Sequence, residues 1–149
     1  MICALTIALF FGVRNCLDQV VVNYLYVFQL ISNENARKEL GNVDGLTEEK
    51  VDKVVEGSLE DVKDNLIEDK GSAYFVSKAT LNAYMRILAM KYSNTAINAL
   101  DPGYTYTELK GNIGVLTIEE GAIGPVMVAL VLEGGPSGLF FDQTKVSTF

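Results

Sequence analysis

Two short runs rich in apolar residues, Asn94-Thr-Ala-Ile-Asn-Ala-Leu100 and Leu139-Phe-Phe141, constrain this chain most. Turn residues bound both: Asp101-Pro-Gly103 closes the first, and Glu133-Gly-Gly-Pro-Ser-Gly138 leads into the second. Short strands of this kind suit a sheet buried on both faces, not one with a wet side. Neighbouring parallel strands need a long crossover, usually a helix. The text between the runs supplies one. Thr117-Ile-Glu-Glu120 has the form of a capping box, whose side chains satisfy backbone N–H groups at a helix start. Pro125 is expected to kink or shorten that helix, because its ring removes a donor and crowds the preceding turn. The order predicts α/β layering with a mostly parallel sheet.

Two further helices precede the first run. Thr47 is placed as an N-cap, with Glu48 and Glu49 in the first turn, where the helix dipole favours carboxylates. Val51, Val54, Val55, Leu59, Val62 and Leu66 then recur at spacings of three and four, one apolar stripe on a solvated helix. Gly71 is expected to stop it. A second helix is expected from Tyr74 to about Tyr92, with Ala79, Ala83 and Ala89 for close packing and Leu81, Met85 and Leu88 for bulk. Upstream, the β-branched and aromatic text over 18–31 reads as a strand buried on both faces. The polar stretch after it holds the turn residues Asn42, Asp44 and Gly45. The opening run, Met1 to Val13, is too short to span a bilayer and has no basic residue before it, so it reads as a buried segment. Residues 1–149 are expected to form one domain.

Charge and missing residue types narrow the chemistry. The formal net charge is −7. An acidic surface argues against nucleic acid and anionic membrane as partners. The chain has no histidine, the commonest general base and metal ligand. Cys3 and Cys16 have no CxxC spacing, so no metal site is expected. They read as free thiols of a reducing compartment, here the cytoplasm.

One pair of residues carries acid–base chemistry. Tyr74 and Lys78 stand four apart, which puts a phenol and an ammonium on one helix face. A free tyrosine has a pKa near 10 and is a poor proton donor or base at neutral pH. A nearby ammonium favours the phenolate and lowers that value. Tyrosine so tuned can give a proton to a carbonyl oxygen or take one from an alcohol while a hydride moves at carbon. A surface pair on a helix face explains the spacing equally well.

The neighbours of the pair point one way. After Tyr-x-x-x-Lys come a long Ala-rich helix, a strand, Asn98-Ala-Leu-Asp-Pro-Gly103 and then Thr107, four after the glycine. This succession resembles the short-chain dehydrogenase/reductase family. "SAYFVSKATLNAYMRILAMKY", "DPGYTYTEL", "GVLTIEEGA" and "GGPSGLFF" resemble the plant neomenthol dehydrogenase and salutaridine reductase group within it, over about 29–149.

The resemblance implies the C-terminal part of a Rossmann-type, doubly wound parallel sheet. It implies an oxidoreductase that uses NADP to interconvert small-molecule carbonyls and alcohols. Tyr74 would be the proton donor or acceptor. Lys78 would lower its pKa and hydrogen-bond the nicotinamide ribose. Pro102, Gly103 and Tyr104 would form a loop against the nicotinamide, and Thr107 would hold the carboxamide or a nearby phosphate. Residues 32–72 match an insertion typical of the group, which covers a tetramer surface and so implies a monomer.

The departures concern the other half of the site. The family's glycine-rich loop, which lets backbone N–H groups approach the pyrophosphate, has no counterpart in these 149 residues. The nucleotide-binding half is therefore expected to be missing, and the chain to be an incomplete domain. Tyr24, Leu25 and Tyr26 stand where the family's catalytic serine would fall. Loss of one such donor costs up to about 2.7–4 kcal/mol of transition-state stabilisation. Asn23 is the candidate for the proton-relay asparagine, without the glycine that follows it in relatives. A sheet reduced to a few strands also leaves an edge to cover, so low stability is expected.

Overall fold

The computed structural model of the chain describes residues 30–31, 33–63, 70–108, 111–130 and 135–147. The strand expected over 18–31 falls almost wholly outside them, as do Asn23, Cys3 and Cys16. Among the described residues the elements are α1 (Glu34–Gly41), α2 (Glu48–Lys63), α3 (Lys70–Lys91), β1 (Ala99–Asp101), α4 (Ile118–Ala129), β2 (Phe140–Asp142) and β3 (Lys145–Ser147).

The sheet is small and mixed. β1 pairs parallel with β2, Ala99 opposite Phe140 and Leu100 opposite Phe141, with α4 as the crossover. β2 returns antiparallel to β3 through a tight turn that holds Gln143 at φ 55°. Successive side chains on a strand face opposite ways, and the core divides accordingly. Ala99 and Phe140 pack with Met85 of α3, whereas Leu100 and Phe141 pack with Val128 of α4. The sheet is thus sandwiched between α3 and α4, an α/β arrangement with both faces covered. Asn98 is wholly buried and ties the layers together. Its amide donates to the Pro136 carbonyl (2.8 Å) and accepts from the Leu139 N–H (3.0 Å).

The other side of α3 carries the helices before it. Ile31, Leu40, Leu46, Val51 and Val54 close on Val76, Ala79, Ala83 and Ile87. α1 begins at Asn33, whose side chain accepts from the N–H groups of Asn35 and Ala36. The polar composition of this stretch conceals the helix, because only Ala36 and Leu40 are buried. Thr47 caps α2 as expected, accepting from the Lys50 N–H at 3.4 Å. Val55 and Leu59 of the expected stripe are exposed, so the buried part of the stripe is Val51 and Val54.

Two expectations about helix ends are corrected. Gly71 does not stop a helix; it lies within α3, and Tyr74 sits a full turn inside instead of at the head. A helical glycine costs only about 1 kcal/mol, which the packing of α3 outweighs. α4 runs on through Pro125 to Ala129. Its capping box is present in full, and Gly124, where a Cβ would stand 2.4 Å from the Gln143 carbonyl oxygen, lets the helix lie close on the sheet. No helix of the described residues is long and apolar enough to cross a membrane.

Candidate active site

The candidate residues fall on two elements that meet one end of the sheet. Tyr74 and Lys78 occupy successive turns near the start of α3. Pro102, Gly103, Tyr104 and Thr107 follow the C-terminal end of β1. α3 hands on to β1 through a short connection and packs back along it through Leu81, Met85, Leu88 and Ala89. Its first turns therefore point toward the end of β1 from which the loop leaves. In open α/β sheets that end is where ligands bind.

The pair is close and largely out of water. The Lys78 Nζ lies 5.6 Å from the centroid of the Tyr74 ring, and Lys78 is only 8% exposed. A lysine buried to this degree carries a charge that water screens little. The ring of Phe75 meets Tyr74 edge-on at 5.9 Å. The surface-pair reading of the spacing does not fit a lysine this buried.

The loop after β1 is built on fixed hydrogen bonds. Gly103 has φ 85°, its N–H donates to Asp101 Oδ1 (2.9 Å), and a Cβ there would stand 2.7 Å from Leu116 Cδ1. The positive φ favours glycine there, and a side chain would also have to displace the Leu116 methyl. The Tyr104 carbonyl accepts from the N–H groups of Val115 (2.8 Å) and Leu116 (3.1 Å), and Thr107 bridges to Ile113. Residues 104–108 and 111–117 so form a lobe. Sequence reasoning named Tyr104 and Thr107 but missed the lobe itself. Its signal was the alternation Tyr104-Thr-Tyr-Thr107 facing Ile113-Gly-Val115 across Gly111. The lobe exposes large apolar side chains, Val115 at 82% and Ile118 and Ile113 beside it. Tyr106, Val115, Thr117 and Ile118 line a cleft of about 370 Å³.

Arg86 continues the helix face of Tyr74 and Lys78 two turns on. Burial pushes its pKa below the usual guanidinium range.

No family model matches the chain. Curated relatives do. The (+)-neomenthol dehydrogenase of Capsicum annuum is 47% identical over 126 residues, which cover 81% of this chain and 40% of that protein. The mouse (Mus musculus) carbonyl reductase [NADPH] 1 is 31% identical over 160 residues, covering 92% of this chain and 58% of the relative. The solved structure of salutaridine reductase from Papaver somniferum superposes with a TM-score of 0.78 at 43% identity, over 87% of this chain and 46% of that one. The chain therefore spans about 40% of the length of the plant relative and under half of that solved structure.

Proposed function

The chain belongs with the short-chain dehydrogenases/reductases, whose C-terminal part it matches in sequence and fold, and from that premise we propose that it carries the proton-transfer and nicotinamide-contact part of a site that reduces carbonyls or oxidises alcohols with NADP. The observation behind this reading is the ammonium of Lys78 beside the Tyr74 ring on α3. Tyr74 gives a proton to the carbonyl oxygen, or takes it back from the alcohol. Lys78 would stabilise the phenolate by its charge and hydrogen-bond the nicotinamide ribose. Pro102, Gly103 and Tyr104 would form the wall against the nicotinamide, and Thr107 would hold the carboxamide or a nearby phosphate. When bound, the dinucleotide supplies or accepts the hydride.

The residues present fit the nicotinamide end of that cofactor. Gly103 lets the loop turn tightly at the end of β1, and the apolar lobe beside it suits a bulky hydrophobic ring system as substrate. NADP is favoured over NAD by the name of the carbonyl reductase relative. The packing of α1 and α2 over one face of α3 supports a monomer in which residues 32–72 are an insertion; the cytoplasm is proposed from the cysteine usage alone. Sedimentation at equilibrium checks the monomer.

One observation favours a second reading, a chain that no longer turns over substrate: neither the glycine-rich phosphate loop nor a serine in the expected place is in the sequence. NADPH oxidation in the presence of a cyclic terpenoid ketone separates the two. Under the first reading turnover is measurable and Tyr74→Phe lowers it about 10²–10⁴-fold. Absence of turnover together with absence of NADPH binding establishes the second.

A further inference from the structure

The buried polar side chains of the described residues are Lys78, Thr80, Asn82 and Asn98. Thr80 donates to the Val76 and Ser77 carbonyls, and both ends of the Asn98 amide are bonded. Asn82 differs. It is 8% exposed, yet its Oδ1 has no hydrogen-bond partner. An acceptor buried without a donor is costly, because the water it gives up is not replaced. Such an atom calls for a partner that protein atoms do not supply, commonly an ordered water.

The place of Asn82 says what that partner touches. Tyr74, Lys78, Asn82 and Arg86 stand four apart on α3, so they form one row. By helix geometry the row winds from the sheet-packed face, where Tyr74 and Lys78 share the side of Met85 and Ala89, to the seam with the face packed on α1 and α2, where Asn82 and Arg86 stand. Helical side chains lean toward the N-terminus. The amide of Asn82 therefore leans over the turn that carries Lys78, as Lys78 leans over Tyr74.

We propose that Asn82 is a positioning residue for Lys78, its Oδ1 accepting from a buried water that in turn accepts from the Lys78 ammonium. The arrangement holds the charge over the Tyr74 ring and extends the hydrogen-bonded row inward from the phenol. This inference deepens the proposed function and rests on it for its catalytic meaning, but its geometry is testable without turnover.

The test uses the ammonium nitrogen signals of the full ¹⁵N-labelled chain, Lys78 being identified by the signal that Lys78→Arg removes. Asn82→Leu, of similar volume and without an acceptor, is expected to speed exchange of the Lys78 ammonium protons with solvent about tenfold. Asn82→Ser, whose hydroxyl still holds a water, keeps the rate within about threefold of the parent. An unchanged rate in Asn82→Leu overturns the proposal, and so does a loss of protection in Asn82→Ser equal to that in Asn82→Leu. A crystal structure of the parent chain gives a reading without a variant. A water within hydrogen-bond distance of both Asn82 Oδ1 and Lys78 Nζ supports the proposal; Oδ1 paired to a protein group overturns it. If the ammonium responds to Asn82→Leu while NADPH binding is absent, the functional reading fails and the positioning contact stands.

Discussion

The two packed faces of α3 differ in kind. Toward α1 and α2 the contact is helix on helix, between segments adjacent in sequence, and one continuous cluster runs from Ile31 to Ile87. Toward the sheet the contact rests on Ile97, Ala99 of β1 and Phe140 of β2, in a sheet whose three strands have three residues each. Their clusters are smaller, Met85 with Ile97, Ala99 and Phe140 on one face and Leu100 with Val128 and Phe141 on the other. Among the described residues β1 ends the sheet on one side and β3 on the other. The comparison teaches where the chain is self-sufficient. The helical side completes itself from local sequence, whereas the sheet side draws on pairings across long separations, and strands so short have few hydrogen bonds to share. The row that starts with Tyr74 and Lys78 begins on the sheet side and winds into the seam at Asn82 and Arg86, so its geometry depends on both.

Breaking the sheet side has the largest expected effect. Phe140, 1% exposed, is the largest fully buried side chain. Phe140→Ala should cost about 3–5 kcal/mol, read by urea unfolding. Hydrogen exchange in the same variant sharpens the comparison: amides of β1 and β2 should lose protection first, while those of α2 and the first half of α3 keep most of theirs. Equal loss on both faces would show that the chain unfolds as one unit.

A middle-sized effect tests the crossover. In the capping box, Thr117 Oγ1 accepts from the Glu120 N–H (3.1 Å) and Glu120 Oε2 accepts from the Thr117 N–H (2.8 Å). Thr117→Ala should cost about 1 kcal/mol, lowering the melting temperature while leaving exchange in α1 and α2 unchanged.

The smallest effect belongs to the helical side. Lys91 donates to Glu48 Oε1 at 3.1 Å, joining the end of α3 to the start of α2. That hydrogen bond, and next the carboxylate charge, raise the Lys91 pKa above 10.5. A raised value means the pair stabilises the fold fully below pH 10.5 and loses that contribution as pH climbs through the folded-state value. Both side chains are exposed, so the gain is slight. The melting-point difference between the parent and Glu48→Gln should be small near neutrality and vanish in strong alkali.

Features with local chemistry were legible in the sequence. The Thr117–Glu120 box, the Thr47 cap and the Tyr74–Lys78 spacing are set by neighbours within four residues. What stayed hidden depends on distant partners. Asn94 to Leu100 reads as one strand, but pairing confines it to Ala99–Asp101, because Ile97 and Asn98 are bound instead by Ser137, Pro136 and Leu139. β3 escaped notice because Lys145 and Val146 are exposed and no apolar alternation marks them. Its turn, Gln143-Thr144, lacks the Asn-Gly or Gly-x chemistry that announces a hairpin. Asn82 looked like any helix residue until burial exposed its unmatched acceptor.

The most direct test of the proposed proton-transfer site is an NADPH titration of the chain followed by fluorescence, repeated with Lys78→Ala and Tyr74→Phe. The account predicts saturable binding that is weak without a pyrophosphate loop, lost in Lys78→Ala and retained in Tyr74→Phe. Binding that survives Lys78→Ala unchanged, or no binding by the parent chain, would contradict it.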